Sequence, residues 1–472
     1  MLTLVRMPPV EEWEAFFGEL AATGRASRID ENGSAFWVAT ERLSLAGDPN
    51  AAVNACVSGW MDSIGPITAS ALAAKLAFPR DAVEAALLGL EAQGQVLRGR
   101  FRNAERERNP NDERSAEEEI EWCNRRILAR IHRATLGRLR REIEPVTAID
   151  FERFLQVWQH VSRGSQLHGA DGTLQIIRQL QGYEIPAVAW ESEILARRIA
   201  NYDPEFLDEL CFSGEVMWAR VSPHPAVEQN RRVRPTRIAP VTLFLREDAD
   251  WLMRAAHPAD SSGLSHPARD VLLALERNGA SFFVDLVRQT SRLSSEVEDA
   301  LWELLAGGFV TADGFDNLRA LIDPKRRRGE GRDSKRRPRH SAGRWALLSH
   351  AGAAMSAEER LQRFARQLLI RWGVLLRDLL VRETLAAPWR DLLPVLRRME
   401  ARGEIRGGRF VSGLTGEQFA RPEAVDLLRG IRRNPDGSAL VIPSNADPLN
   451  LAGIILPGPR VSRLAVMGLV PA

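Results

Sequence analysis

A chain of 472 residues has room for roughly three to five small domains. Its composition, 44% hydrophobic and 27% charged with a net charge of +2, is that of an ordinary globular protein and excludes a polycation. No apolar run is long enough to cross a membrane and Glu11, Glu12 and Glu14 stand where a signal peptide is apolar, while Cys56, Cys123 and Cys211 lie far apart with no C-x-x-C, which argues against a disulfide framework or a zinc ribbon.

Residues 1–45 read as the C-terminal part of a winged helix. Trp13, Phe17 and Leu20 mark a helix face, Gly24 stops it, and Ser34–Ala39 alternates as a strand. Residues 46–105 read as a complete winged helix. It has a first helix over Val53–Met61, Thr68 as an N-cap, a helix over Asp81–Gln93 in the recognition position, and Arg98, Arg100 and Arg102 on the wing. Residues 106–118 read as a polar linker. Residues 119–190 are expected to be helical, beginning with a basic amphipathic helix from Glu119 to Ile143. Residues 191–255 read as a winged helix with a β-element, and 262–322 as another winged helix. A basic, disordered linker is expected over 323–343, carrying Lys325, Arg326, Arg327, Arg328, Lys335, Arg336 and Arg337. Residues 344–430 form the last winged helix. Residues 431–472 read as strands of a β-element, with Ala439–Ile442 and Gly453–Leu456 the candidates.

One signature ties these segments together. Two apolar residues lie seven and four positions before a glycine, and a third lies two after it. It occurs as Leu87, Leu90, Gly94, Val96; as Leu207, Leu210, Gly214, Val216; as Leu301, Leu304, Gly308, Val310; and as Leu396, Met399, Gly403, Ile405. Phe17, Leu20, Gly24 and Ala26 make a weaker copy. The pair faces a core from the last helix, the glycine supplies a left-handed cap, and the third residue opens the wing strand. Helix–glycine–strand is common when met once. Its recurrence five times points to tandem modules. The fold class is therefore α+β and mostly α, with tandem winged helices and a C-terminal β-element, which the resemblance described below implies to be part of a β-barrel.

The motifs exclude more chemistry than they supply. A P-loop needs Lys followed by Ser or Thr, and the three lysines, Lys75, Lys325 and Lys335, are followed by Leu76, Arg326 and Arg336. The eight histidines show no metal-ligand spacing, and no Gly-x-Ser-x-Gly elbow occurs. The positive charge is almost all Arg, whose fork suits phosphate and guanine. Arg98, Arg100, Arg406 and Arg409 on wings, Arg397, Arg398 and Arg402 on the last helix, and the linker cations are the candidate contacts to nucleic acid. Any one of them, taken alone, reads better as a solvated surface charge. Pro394 removes a hydrogen bond from the last helix, which counts against that helix as a groove reader.

The strings CNRRILARIHRATLGRLRREIEPV, QLHGADG, QLQGYEIPAVAWE, LDELCFSGEVMW and WRDLLPVLRRMEARGEIRGGRFVSGLTGEQFARPEAVDLLR, with ADPLNLAGI, resemble the C-terminal region of the large helicase-related (Lhr) superfamily 2 DEAD/DEAH-box helicases. The resemblance covers nearly the whole chain. It implies a repair-associated, ATP-dependent 3′-to-5′ DNA helicase whose motor precedes this region, with tandem winged helices and a barrel. That region also resembles a DNA glycosylase family that unhooks crosslinks, and some members of the helicase family are credited with uracil excision. Two departures are expected: no motor, so that ATP and magnesium belong to an absent part, and a barrel that stops short, as in half of a split gene or a truncated frame.

The resulting reading is an accessory region of a repair helicase that holds single-stranded or duplex DNA, in the cytoplasm and nucleoid, without a membrane. RNA, a separately encoded motor and a second copy of the chain are further candidate partners. The alternative is a glycosylase-like module acting on damaged or uracil-containing DNA, for which Asp171, Gln179 and Gln181 are the residues to test. A third reading is an oligomerisation scaffold using Phe282, Phe283, Trp302 and Phe309.

Overall fold

The structure is a computed structural model. It describes residues 2–31, 33–47, 49–101, 120–141, 143–222, 224, 240–253, 261–322, 343–348, 355–385, 387–433 and 440–459. The chain divides into two compact units, Met1–Leu139 and Arg140–Ala472.

The first unit contains two small sheets. Helix Glu14–Ala22 turns through Gly24 into β2 (Ala26–Glu31), and β3 (Ser34–Ala39) lies between β2 and β1 (Arg6–Met7), antiparallel to both. In the second sheet β4 (Ile67–Thr68), β5 (Val96–Gly99) and β6 (Glu121–Asn124) follow the same plan, with β6 in the middle. Helices Pro49–Met61, Ala69–Leu76 and Arg80–Ala92 pack above it. Thr68 is the N-cap expected of it, its hydroxyl accepting the Ala71 N–H at 3.2 Å. One apolar core, including Trp37, Cys56, Val57, Leu72, Leu87 and Trp122, joins both sheets. Residues 106–118 lie outside the described residues, and the segment joins the paired strands β5 and β6. The basic helix begins at Arg125 and not at Glu119, because Glu121–Asn124 belong to the central strand.

The second unit repeats the plan three times. β7 (Leu167–His168) pairs with β9 (Ile199–Ala200) in parallel, beside a sheet in which β11 (Pro240–Leu245) lies between β8 (Ile185–Pro186) and β10 (Val216–Ala219). Here β11 is the central strand of a module fed by helices Gly169–Leu180 and Pro204–Phe212. The next module takes helices His266–Asn278, Phe283–Thr290 and Ser294–Ala306, then β12 (Val310–Ala312) paired with β13 (Trp345–Leu347). Ser281 bridges Trp345 from the other side, standing in for a first strand. In the last module helix Ala357–Trp372 leads to β14 (Val374–Leu375), a 3-10 turn Arg377–Arg382, helix Trp389–Ala401 and β15 (Arg406–Gly408), with β16 (Gln418–Ala420) in the middle.

The glycine signature holds at all five places. Gly24, Gly94, Gly214, Gly308 and Gly403 have φ of 72°, 69°, 81°, 79° and 77°, a conformation in which a side chain is strained. Leu87, Leu207, Leu301 and Leu396 before them are fully buried, whereas Phe17 of the weak copy is half-buried and stacks on Trp37 at 4.4 Å.

The expected barrel is not found. Among the described residues, 440–459 contain no strand, only turns and one bridge between Ala452 and Leu456. Pro443, Pro457 and Pro459 interrupt the segment, and it finds no strand to pair with. Side chains hold it instead. Gln156 bonds both the N–H and the carbonyl of Val441, Arg197 reaches the Ile442 carbonyl, and Arg198 grips Asp447. Residues 460–472 lie outside the described residues.

Candidate nucleic-acid interface

The wing of the last module is fixed at its base by the chain that precedes that module. The Val146 N–H donates to the Phe410 carbonyl at 2.8 Å, and the Ser412 N–H returns a bond to the Val146 carbonyl at 2.9 Å. Arg140 donates to Glu400 with Nε at 2.7 Å and to Glu417 at 3.1 Å. Glu400 is buried, and its bond to Arg140 holds that guanidinium above its ordinary pKa. Gly407 is required here, since a Cβ would strike the Glu400 carboxylate. Gln418 closes the wing from inside. Its Oε1 accepts the N–H groups of Phe410 and Val411 at 2.7 and 2.9 Å, and its Nε2 donates to the Val411 carbonyl at 3.1 Å. Gln418 was invisible to sequence reasoning, although a Gln in the apolar run Gln418-Phe419-Ala420 is the one signal that marks it.

The candidate arginines divide into two groups. Arg397 pairs with Glu417 at 2.9 Å, Arg398 with Glu358 at 2.8 Å, and Arg402 with Glu404. The Arg402 bond holds the Glu404 carboxyl below the usual carboxylate range. Arg98 sits 3.2 Å from Glu91. The last-helix arginines are therefore half-neutralised on their own surface. Pro394 is exposed on that same helix. Arg406 and Arg409 are different. Both are exposed, and neither has an ion pair with a described residue. Arg100 is exposed just beyond β5. Lys325, Arg326, Arg327, Arg328, Lys335, Arg336 and Arg337 lie outside the described residues.

Two of the three residues named for glycosylase chemistry meet at a cavity of about 740 Å³ lined by Trp158, His160, Asp171, Gln179, Arg178 and Arg421, among others. Gln179 is buried; its Nε2 donates to the Trp158 carbonyl at 2.9 Å, while its Oε1 has no hydrogen-bond partner among the described residues. Burial pushes the His160 imidazole below its ordinary pKa, toward the neutral form. Gln181 is elsewhere engaged. It donates to Asp248 and Gln367 and accepts the Leu245 N–H, which makes it a structural joint. Of the scaffold aromatics, Phe283 and Trp302 are buried in the module core, and Phe282 is exposed. Among the described residues no cluster of His, Cys, Asp or Glu could hold a metal ion, and no helix is long and apolar enough to cross a membrane.

Comparison with known proteins gives the setting. Residues 146–239 and 354–440 each match the family model for the winged-helix domain of the large helicase-related protein. A protein of Mycolicibacterium smegmatis named "Lhr helicase/ probable uracil glycosylase" is 30% identical over 95% of this chain and 31% of its own length. A protein of Escherichia coli K12 named "Lhr helicase/uracil glycosylase" is 29% identical over 72% of this chain and 24% of its own length. The chain thus spans a third or less of the curated relatives it matches. With family domains matched at two of its glycine-marked modules and a relative aligned along nearly all of it, the chain belongs to the large helicase-related (Lhr) family.

Proposed function

We propose that this chain is a nucleic-acid-binding region of an Lhr-type helicase, and that its modules hold DNA during repair for an ATP-dependent motor. The observation that carries the reading is the contrast at the last wing. Arg406 and Arg409 stand exposed, with no ion pair among the described residues, on a braced hairpin beside a helix whose arginines have carboxylate partners. A wing of this kind supplies phosphate contacts, which position a duplex or strand without reading its sequence. The test is binding of single-stranded and duplex DNA over a salt series. R406Q/R409Q should flatten the dependence of log affinity on log salt by roughly 1 to 2, since each lost phosphate contact removes about 0.7 to 0.9. Absence of binding by the unmodified chain at low salt would sink the reading.

A second reading, a glycosylase-like module, is favoured by one observation: the Gln179 Oε1, unpartnered among the described residues, at the same cavity as Asp171. In that reaction water adds to the sugar carbon, the carbon–nitrogen bond to the base breaks, and the base leaves with a proton. Release of free uracil from uracil-containing DNA, lost in D171N, is the expected result. Unchanged release in D171N and in Q179L would remove this cavity from the chemistry.

A further inference from the structure

The helix Arg125–Arg141 contains no acidic residue, and Arg125 and Arg126 occupy its first turn. Both features work against the helix itself. The N-terminal end of a helix carries partial positive charge and favours carboxylates there. Like charges three or four residues apart repel one another along a helix face. Nothing in the fold compensates by burial, since no residue from Arg125 to Arg140 is buried. Several exposed helical arginines elsewhere are matched: Arg397 by Glu417, Arg398 by Glu358 and Arg429 by Asp426. Arg125, Arg126, Arg130 and Arg133 have no such partner among the described residues.

Helical geometry places Arg126, Arg130 and Arg133 within about 60° of one another, opposite Leu128, Thr135 and Leu139. The start of this stripe is pinned to the first unit. The Asn124 side chain donates to Asp62 at 2.7 Å and accepts the Arg126 N–H at 2.8 Å, and the Arg125 N–H donates to the Gln95 carbonyl at 2.9 Å. A row of cations on a helix pinned at its start, with no acid paired to it among the described residues, suits an external anion. A helix that lies on a lipid surface sinks its apolar face and reaches headgroups from the flanks of that face. Here the cations lie on the side farthest from the apolar residues. Arginine also forks onto phosphate oxygens with two bonds at once.

We propose that Arg126, Arg130 and Arg133 form a phosphate-binding track for a nucleic-acid strand, a site separate from the Arg406 and Arg409 wing. The proposal rests on the reading of the chain as a nucleic-acid-binding region. The experiment measures binding of a fluorescent single-stranded DNA by the full chain over a salt series. The set is the unmodified chain, R126Q/R130Q/R133Q, R126K/R130K/R133K and R406Q/R409Q. The Gln triple should reduce the magnitude of the log–log salt slope by about 2, for three phosphates at roughly 0.7 each on a single strand. The Lys triple should keep the slope, because it keeps the charge. An unchanged slope in the Gln triple, with R406Q/R409Q flattened, overturns the track and leaves the broader reading standing. No binding by the unmodified chain removes that reading and the track with it. If the Gln triple instead loses only binding to phosphatidylserine vesicles, the stripe is a lipid site and the proposal fails.

Discussion

Arg198 and Asp447 face each other in a fully buried two-pronged ion pair, with both nitrogen–oxygen distances 2.9 Å. Gln159 takes a third bond from the same guanidinium, and the Leu449 N–H donates to Asp447. Removing one partner strands a buried charge, which typically costs about 3 to 5 kcal/mol. D447A should therefore lower stability by that order in urea unfolding of the chain. The double change R198M/D447L, which removes both charges, should recover most of the loss. A double variant as unstable as the single would show that packing, and not charge, holds the segment 440–459.

Glu152 tests the same neighbourhood by pH. Burial raises its carboxyl to about 7, with the nearby Asp447 adding to the rise and the bond from Gln156 opposing it. The folded pKa lies above the unfolded one, so the folded state binds the extra proton. Stability contributed by this group falls as pH rises from about 4.5 to 7, and the full penalty is present above that window. The penalty is on the order of 3 kcal/mol, at 1.36 kcal/mol per unit. E152Q should remove it, raising Tm at pH 8 more than at pH 5. Equal gains at both values would mean that Glu152 is not the group that titrates.

Gln418 should act on binding through shape alone. Q418A leaves the N–H groups of Phe410 and Val411 without their acceptor, at a cost of about 1 to 3 kcal/mol each when no water replaces it. DNA affinity should fall while the salt slope stays as it was, because no cation is lost. A flattened slope would assign Gln418 an electrostatic role that it has no charge to play.

Two glycines separate backbone strain from collision. At Gly403 an added Cβ meets nothing within 4 Å, so G403A should cost only the strain of its left-handed conformation, about 1 to 2 kcal/mol. At Gly373, also left-handed, the Cβ would lie 2.7 Å from the Phe154 ring and 2.8 Å from Trp158. G373A should be clearly the more damaging in a thermal melt. Equal losses would show that those rings move aside.

The repeated modules were legible because their mark is local: a helix end, a glycine and one strand residue within ten positions. What closed each module was not. The first strands are as short as Ile67–Thr68 and Val374–Leu375, and the central strand Glu121–Asn124 carries a polar residue at each end. Such strands are specified by the sheet they join and not by their own pattern. The wing arginines were legible from composition, but not the difference between Arg397 and Arg406, which depends on Glu417 reaching Arg397 across the wing. The last strands were read from their apolar letters and the barrel from family resemblance, against the prolines within that segment. The Arg126–Arg130–Arg133 row was visible as letters; that it lacks acidic partners among the described residues was not.

In each of the four three-stranded sheets among the described residues the strand that comes last in sequence lies in the middle, and β13 likewise lies between β12 and the Ser281 bridge. A module therefore stays open along its centre until the ribosome has delivered its final strand. For the module of β12 that strand begins at Trp345, well after Ala312. Until then the Ser281 bridge is unmade, and Trp218 lacks the ring it meets edge-on at 6.0 Å. A chain cut between these points loses more than its tail: it leaves a finished helix bundle with an unpaired edge, the form most prone to pair with another copy.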